Sequence, residues 1–377
     1  MKTPLPALSV IGLAVVLIGL VLAPDRTWPN ILLASVYVIG VALAGMMFLA
    51  LHYVSSAGWS SALKRVAESV ASTLPLGALL ILLTLGGVGV LYEWSHAETV
   101  ALDPLLRGKS GWLNVSFFVV RSVVYLAVWL LFLRAMLRIS RGTTQGWLAN
   151  RRSTVLSACF IVAFMITFSL ATFDWLMSLQ PHWFSTMFAV YNFTGSFVSG
   201  LAMITLLAIL LRRPGRPLAG VVNSHHLHDL AKLMLGFTTF WMYIWFSQYM
   251  LIWYGNLPEE VTFYIPRHQG AWAVLSVASI LVNWVIPFFV LLPRGAKRSD
   301  GTLLRICVLL LAGRWLDLYV MIQPVFEPDA PRFGLWELAP ILVVGALFVV
   351  LLRRNLGAVD LVPHGDPYLE ESLHHHQ

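Results

Sequence analysis

Ten long apolar runs are the feature that most constrains the fold of this chain. They lie at residues 6–23, 31–54, 72–93, 112–138, 154–179, 183–211, 230–254, 271–292, 302–323 and 336–352. Runs of about 18 residues or more are long enough for a helix to cross the hydrocarbon layer of a membrane. The chain is only 11% charged, whereas a soluble domain is about 25% charged. We therefore predict an all-α polytopic membrane protein with about ten transmembrane helices.

The distribution of basic residues predicts the orientation of these helices. Lys and Arg are concentrated at the N-terminus and in the loops after the even-numbered runs, for example at Arg134, Arg138, Arg151 and Arg152. Basic loops stay on the cytoplasmic side of a membrane. We therefore expect a multi-pass protein of the bacterial inner membrane with both termini in the cytoplasm. The same bias accounts for the net charge of +7, so we expect no nucleic-acid partner.

Two segments share an unusual ending, "FDWLMSLQP" at Phe173–Pro181 and "RWLDLYVMIQP" at Arg314–Pro324. In each, an Asp near the end of an apolar run precedes Gln by six residues and Pro by seven. The segments close the fifth and ninth runs, so a parallel duplication would give two four-helix bundles, helices 2–5 and 6–9. The first run has no convincing signal-peptidase site and is expected to be retained. The predicted divisions are a first peripheral helix, two bundles, and a last peripheral helix with a cytoplasmic tail, at 1–30, 31–181, 182–325 and 326–377.

Four ionisable residues fall inside the predicted membrane helices, namely Arg121, Asp174, Arg314 and Asp317. A charge at this depth costs roughly 3 kcal/mol or more and marks a functional candidate. Arg314 and Asp317 are three residues apart on one helix face, and Arg121 has a depth that suits pairing with Asp174. The pairs either lock helix packing or hold carboxylates that exchange protons. The first role needs an Arg that keeps the carboxylate ionised, whereas the second needs an Arg that lets the carboxylate take up a proton.

Other polar residues extend a possible proton relay. Tyr125 lies one turn past Arg121, and Tyr319 lies close to Asp317 in the sequence. The sixth run adds Tyr191, although its small residues in "TGSFVSG" also suit helix packing. At the cytoplasmic side, candidates for proton uptake are His52, His225, His228 and Asp229. We expect the tail after Arg353 to be loosely ordered or to lie on a partner.

The sequence contains no pattern that would hold a redox cofactor or a metal. Cys159 and Cys307 lie inside apolar runs without a CxxC motif, which argues against iron–sulfur clusters and c-type haem in this chain. We expect both to be packing residues. No pair of deep histidines suits a b-type haem. An aromatic stripe in the seventh run could line a quinone cleft, but such residues more often pack or anchor at the membrane surface; its members are Trp241, Trp245, Tyr249 and Trp253.

Three longer stretches carry a resemblance to a known family. They are "WLNVSFFVVRSVVYLAVW", "FDWLMSLQPHWFSTMFAVYNF" and "FWMYIWFSQYMLIWYGNLPEE". These stretches resemble the F subunit of bacterial alternative complex III, a quinol:cytochrome c or quinol:electron-carrier oxidoreductase. That family belongs to the polysulfide-reductase-like (NrfD-type) membrane anchors. The resemblance extends over nearly the whole chain.

The resemblance implies a non-redox subunit of a respiratory electron-transport enzyme, with two four-helix bundles and peripheral helices. It implies partners that include an iron–sulfur subunit, c-type cytochrome subunits and a related anchor subunit that holds quinol. Lipids and a terminal oxidase are further expected partners. No cofactor is expected in this chain, and quinol binding here is left open. Proton translocation is implied through Asp174, Asp317 and Arg121. A secondary transporter and a purely structural anchor are the alternatives.

Overall fold

The computed structural model describes residues 5–142 and 146–376, with side chains from Gly12 onward. Ten long helices occupy the described part of the chain, and no strand occurs in it. The first four residues of the predicted first division lie outside the described residues. The helices are α1 Leu5–Leu22, α2 Pro24–Val54, α3 Gly58–Leu91, α4 Val115–Ser140, α5 Trp147–Trp175, α6 Phe188–Leu211, α7 Ser224–Gly255, α8 Gly270–Leu291, α9 Asp300–Ile322 and α10 Leu335–Gly357.

Seven of these helices are long and apolar enough to cross a membrane, within the described residues. They are α2, α3, α4, α5, α6, α8 and α10. α9 carries three charged residues close together, at Arg305, Arg314 and Asp317. The chain is an all-α polytopic membrane protein, as the sequence predicts. A membrane crossing by α1, α7 and α9 stays a prediction.

The helices form two groups that meet along α2 and α6. In the first group α2 packs against α3 and α5, and α4 packs against α3 and α5. In the second group α6 packs against α7 and α9, and α8 packs against the same two helices. The peripheral helices α1 and α10 pack on each other and on α2. These are the contacts that two four-helix bundles would make, whereas the domain boundaries stay a prediction.

Small residues allow α2 and α6 to approach closely at the centre of the molecule. A Cβ atom added at Gly200 would lie 2.2 Å from the Cβ of Ala44, and one added at Gly40 would lie 2.7 Å from Ser196 Oγ. Membrane helices gain little from the hydrophobic effect when they associate, so close backbone approach supplies the packing energy. The sixth-run motif "TGSFVSG" therefore provides a packing surface, and the polar face of α6 lies beside it.

Two helices are interrupted, and the interruptions fall at different positions in the two groups. α3 contains a 3₁₀ turn at Leu85–Gly87, and α8 contains a π-helical turn at Leu281–Val285. In the π turn, Asn283 Nδ2 donates to the carbonyl oxygen of Gly313 on α9 at 3.0 Å. α3 is the second helix of its group and α8 the third. Broken helices at matching positions, which are typical of duplicated transporters, are therefore not seen in these residues.

The C-terminal tail is folded onto the molecule, so the expectation of a loosely ordered tail is wrong for residues 358–376. A short helix, Leu369–Leu373, contacts the turn that opens α3. Ser372 Oγ donates to the carbonyl oxygen of Trp59 at 2.7 Å and accepts from the Ala62 amide at 3.1 Å. The ends of the helices supply the hydrogen-bond partners that water would supply to a loose polar tail. The composition of the tail does not reveal these partners.

We predict that Gly200→Ala lowers the free energy of unfolding by about 1–3 kcal/mol, the usual cost of overpacking a tight interface. The added methyl group would force α2 and α6 apart at Ala44. Thermal unfolding of the detergent-solubilised protein measures the effect. Gly345→Ala on α10 is the matched control, because a Cβ atom there meets nothing within 4 Å. Equal melting temperatures for the two variants would contradict the prediction.

Candidate functional site

Asp174, at the end of α5, is held by four side-chain hydrogen bonds. Arg121 donates from Nε to Oδ2 and from Nη2 to Oδ1, both at 2.8 Å. Tyr125 OH donates to Oδ2 at 2.9 Å, and Trp112 Nε1 donates to Oδ1 at 3.0 Å. Only 1% of Asp174 is exposed. Each carboxylate oxygen therefore accepts two hydrogen bonds, and the Arg121 guanidinium binds both oxygens in a bidentate geometry.

The N-terminal turn of α4 places these donors around Asp174. Asn114 caps the helix, since its side chain accepts from the Phe117 amide at 2.9 Å. The rings of Trp112 and Phe117 meet edge-on at 5.5 Å, and both lie against Arg121, whose Cζ atom is 4.1 Å and 4.3 Å from their centroids. Arg121 Nη1 also donates to the carbonyl oxygen of Trp112 at 2.9 Å. The Asp174 site is thus a buried ion pair with aromatic rings packed over its cation.

Asp317, at the end of α9, has a similar set of partners from different helices. Arg314 Nη1 donates to Oδ2 at 2.5 Å, and Tyr191 OH on α6 donates to Oδ1. Trp241 on α7 lies close to the carboxylate, with its ring 5.6 Å from that of Tyr191. Arg314 Nη2 also donates to Asn192 Oδ1 at 3.1 Å. Each buried carboxylate therefore accepts from one Arg and one Tyr, and each has a Trp beside it.

The backbone of α6 makes room for the Arg314 guanidinium. A Cβ atom added at Gly195 would lie only 2.6 Å from Arg314 Nη1. Arg314 reaches Asp317 with a single guanidinium nitrogen, whereas Arg121 uses two for Asp174. The ion pair at Asp317 is therefore less completely clamped than the pair at Asp174.

A cavity opens beside Asp317, and we call it the outer cavity. Its volume is about 520 Å³, including the part that is open to solvent. Its wall includes Asp317, Tyr191, Gln248, Tyr264, His268 and Trp245. Within it, Gln248 Nε2 donates to Tyr264 OH at 2.9 Å. Burial raises the pKa of Tyr264 to about 12, so its hydroxyl stays protonated near neutral pH. The outer cavity brings proton donors and acceptors to the carboxylate of Asp317.

Arg267 joins the ends of α5 and α9. Its Nε donates to the carbonyl oxygen of Val320 at 3.0 Å, and its Nη2 to that of Met321 at 2.5 Å. Its Nη1 donates to Gln180 Oε1 at 3.3 Å, just past the end of α5. Burial lowers the pKa of Arg267 to about 9, which still leaves a cation at neutral pH. Both Asp–Gln–Pro endings therefore lie at one end of the molecule, which we call the outer end.

The structure brings one of the two predicted tyrosines to its carboxylate. Tyr125 bonds Asp174, as described above. Tyr319 does not bond Asp317, because residues two apart on a helix face different directions. Its hydroxyl donates to the carbonyl oxygen of Arg332 at 2.5 Å, and its ring stacks on Phe333 at 5.0 Å. The tyrosine that contacts Asp317 is Tyr191, from the helix that packs against α9.

The predicted proton-uptake residues lie at the opposite end of the helices, which we call the inner end. His52 Nδ1 lies 2.6 Å from the carbonyl oxygen of Phe48, and Asp229 Oδ2 lies 2.6 Å from His375 Nε2. The first turns of α7 carry His225, His228 and Asp229. From the start of α5 to Asp174 is about 40 Å at the helical rise. The inner and outer candidates are therefore not in contact.

A cluster of phenylalanines lies along α5 and α6 between the two ends. Phe164 stacks on Phe168 at 4.9 Å and meets Phe193 edge-on at 5.8 Å. Phe160 and Phe197 extend the cluster, with centroids 5.5 Å from Phe164 and 5.7 Å from Phe193. A proton route along α5 and α6 would have to pass this apolar cluster.

Four buried charged residues were not identified as candidates from the sequence, namely Glu68, Arg267, Lys297 and Glu337. Glu68 pairs with Arg65 at 2.8 Å at the inner end. Glu337 accepts two bonds from Arg26, at 2.7 Å and 2.9 Å, and so ties α10 to α2. The position of Glu337 inside the tenth apolar run was a usable signal. Glu68 and Arg267 lie between runs, where burial has no clear sequence pattern.

The described residues show no group of three or more His, Cys, Asp or Glu side chains that could hold a metal ion. Cys307 is buried, as predicted, but Cys159 is exposed on α5, so the expectation that it packs in the core is wrong. Searches of family models and of curated proteins find no match to the chain. The resemblance to the alternative complex III subunit therefore stays a prediction.

We predict that Arg121→Met lowers the free energy of unfolding by about 3–5 kcal/mol, because it leaves the Asp174 carboxylate buried without its cation. The double variant Arg121→Met/Asp174→Leu should recover most of this loss, since the buried charge is removed. Thermal unfolding in detergent compares the two variants. Arg151→Met, at an exposed position on α5, serves as the control for loss of one Arg. If the double variant were as unstable as the single one, the packing role of this pair would be refuted.

Proposed function

We propose that this chain is a cofactor-free membrane subunit of a respiratory quinol-oxidising complex of the alternative complex III type. In this role it scaffolds the assembly and exchanges protons at Asp317. Haem c and iron–sulfur clusters would reside on partner subunits, including a related anchor that holds quinol. The membrane would be the bacterial inner membrane, with the inner end and both termini in the cytoplasm. The outer end would then face the periplasm.

The positions of the three resembling stretches support this proposal. The first stretch supplies Trp112, Arg121 and Tyr125 around Asp174. The second, Phe173–Phe193, includes Asp174 and Tyr191, and the third contributes Trp241 and Gln248. The segments that resemble the family therefore converge on the two carboxylates and on the outer cavity. Convergence of this kind favours a shared chemical role over similarity that reflects membrane composition alone.

The observation that carries the proton role is the position of Asp317 in the wall of the outer cavity. A general acid or base must lie within hydrogen-bond reach of the group with which it exchanges a proton. Tyr191 meets this condition, and Gln248, Tyr264 and His268 share the cavity. Asp317 has one hydrogen bond from Arg314, whereas Asp174 has two from Arg121, so proton exchange at Asp317 disturbs fewer ion-pair contacts.

The hydrogen bonds around Asp174 favour a packing role, and not proton exchange, for this carboxylate. Its acceptor positions are filled, and the rings of Trp112 and Phe117 lie against its Arg partner. Protonation of Asp174 would weaken a bidentate ion pair and leave Arg121 buried without an anion, which is costly. We therefore assign a packing role to Asp174 and a proton-exchange role to Asp317.

We predict that Tyr191→Phe slows proton release during quinol oxidation by about tenfold, equivalent to roughly 1.4 kcal/mol for one hydrogen bond to a charged group. Asp317→Asn should slow it at least as much. Proton release by the purified complex in vesicles is followed with a pH-sensitive dye. Tyr319→Phe is the matched control, since it removes a hydroxyl from α9 that bonds Arg332 and not Asp317. Unchanged proton release in assembled Tyr191→Phe and Asp317→Asn complexes would overturn the proton role.

Purification of the tagged chain in mild detergent tests membership in the complex. We expect haem absorbance and iron to elute with the chain at a fixed ratio, because the redox groups would lie on tightly bound partners. A secondary transporter would elute alone and without visible absorbance. A chain that elutes alone after chemical cross-linking of the membranes would rule out the proposed assembly.

A further inference from the structure

Two neighbouring cavities lie at the inner end, between the start of α3 and the C-terminal segment, residues 363–376. Their volumes are about 370 Å³ and 380 Å³, including space open to solvent, and both have Tyr53, Lys64, Asn150 and Asp366 in their walls. We call them together the inner chamber. His52 lies in the wall of the first cavity. The inner chamber is about 40 Å from the outer carboxylates at the helical rise of α5, so it belongs to neither site described above.

An unpartnered hydroxyl group indicates that the inner chamber holds water. Ser61 is only 6% exposed and lies in the chamber wall, yet its Oγ has no hydrogen-bond partner within the protein. A buried hydroxyl group without a partner costs free energy. Buried water satisfies such groups in most proteins where the space is polar and large enough. Lys64, Asn150 and Asp366 supply the further polar groups that ordered water needs.

The C-terminal segment covers this chamber through polar contacts with three parts of the chain. Asp366 pairs with Lys64 Nζ of α3 at 2.8 Å, and the Gly365 carbonyl oxygen accepts from the Gly146 amide before α5 at 3.1 Å. Farther along, His375 Nε2 lies 2.6 Å from Asp229 Oδ2 of α7. These contacts hold the segment at both of its ends over the inner ends of the helices.

Because these contacts are mainly polar, the segment is easier to release than the helices beneath it. Its sequence from 363 to 376, "PHGDPYLEESLHHH", contains few apolar residues. A typical intramolecular hydrogen bond contributes a net of only about 0.5–1.5 kcal/mol. Segments with few buried apolar contacts open locally at much lower cost than the whole protein unfolds. A cover of this kind opens without disturbing the packing of α2 and α6.

We propose that residues 363–376 form a removable lid over the inner chamber, and that its release opens Ser61 and His52 to bulk solvent. The lid is a segment of this chain, held near its two ends by the Asp366–Lys64 and His375–Asp229 pairs and between them by the Ser372 bonds to Trp59 and Ala62. This inference goes beyond the proposed proton exchange at Asp317, because it concerns solvent access at the opposite end. Its test measures chemical labelling and not turnover, so it succeeds or fails independently of the proposed function.

Cysteine labelling of the full-length protein in detergent micelles tests the lid. Ser61→Cys is placed in a Cys159→Ser background, which removes the exposed cysteine and leaves the buried Cys307. The lid is loosened by Asp366→Asn with His375→Ala. We expect a charged maleimide to label position 61 at least tenfold faster in the loosened protein. The matched control changes Glu370→Gln and His374→Ala, an exposed pair on the same segment, and should leave the rate unchanged.

Ser55→Cys, at an exposed position, gives the reference labelling rate in each background. Equal labelling of position 61 with and without the lid substitutions would overturn the proposal, whether both rates were fast or slow. Hydrogen exchange of the unsubstituted protein provides a second measurement that needs no variant. Amides of the short helix Leu369–Leu373 should exchange faster than those at the centre of α2. Equal protection of the two segments would also overturn the lid.

Discussion

The pairing of a buried carboxylate with a guanidinium, made twice at the outer end, is the constraint on which the rest of the structure depends. A lone charge at this depth would cost roughly 3 kcal/mol or more, so neither α5 nor α9 could end as it does without its Arg. Local features of the fold then serve these pairs. The Asn114 cap fixes the start of α4 beside Asp174, and Gly195 leaves space for the Arg314 side chain.

The two sites show that one set of residue types can give two different environments. Asp174 takes its Arg, Tyr and Trp from α4 and the turn before it, so its donors come from one short stretch and close around it. Asp317 takes its partners from α9, α6 and α7. A site assembled from three helices leaves space where those helices diverge, and the outer cavity lies there. Asp317 therefore borders a cavity because its partners come from three helices, whereas Asp174 does not, because its donors come from one short stretch.

The sequence was sufficient to predict the helices and both ion pairs, because apolar run length and helical spacing are local properties. It could not choose between Tyr319 and Tyr191 as the partner of Asp317, since that choice depends on which face of α9 packs against α6. The burial of Arg267 was equally hidden, because it lies in a loop that is polar by composition. The folded tail was missed for a related reason. Its partners lie more than 100 residues away, on α3 and α7.

Arg267 has a mechanical consequence for the whole molecule. One guanidinium holds the last carbonyl groups of α9 together with the Gln180 side chain that follows α5. The two four-helix groups are thereby pinned at the outer end as well as along α2 and α6. A rocking motion of one half against the other, as in alternating-access carriers, would have to break this buried junction during every cycle. The geometry instead suits a rigid frame of helices, around which side chains, water and the C-terminal segment move.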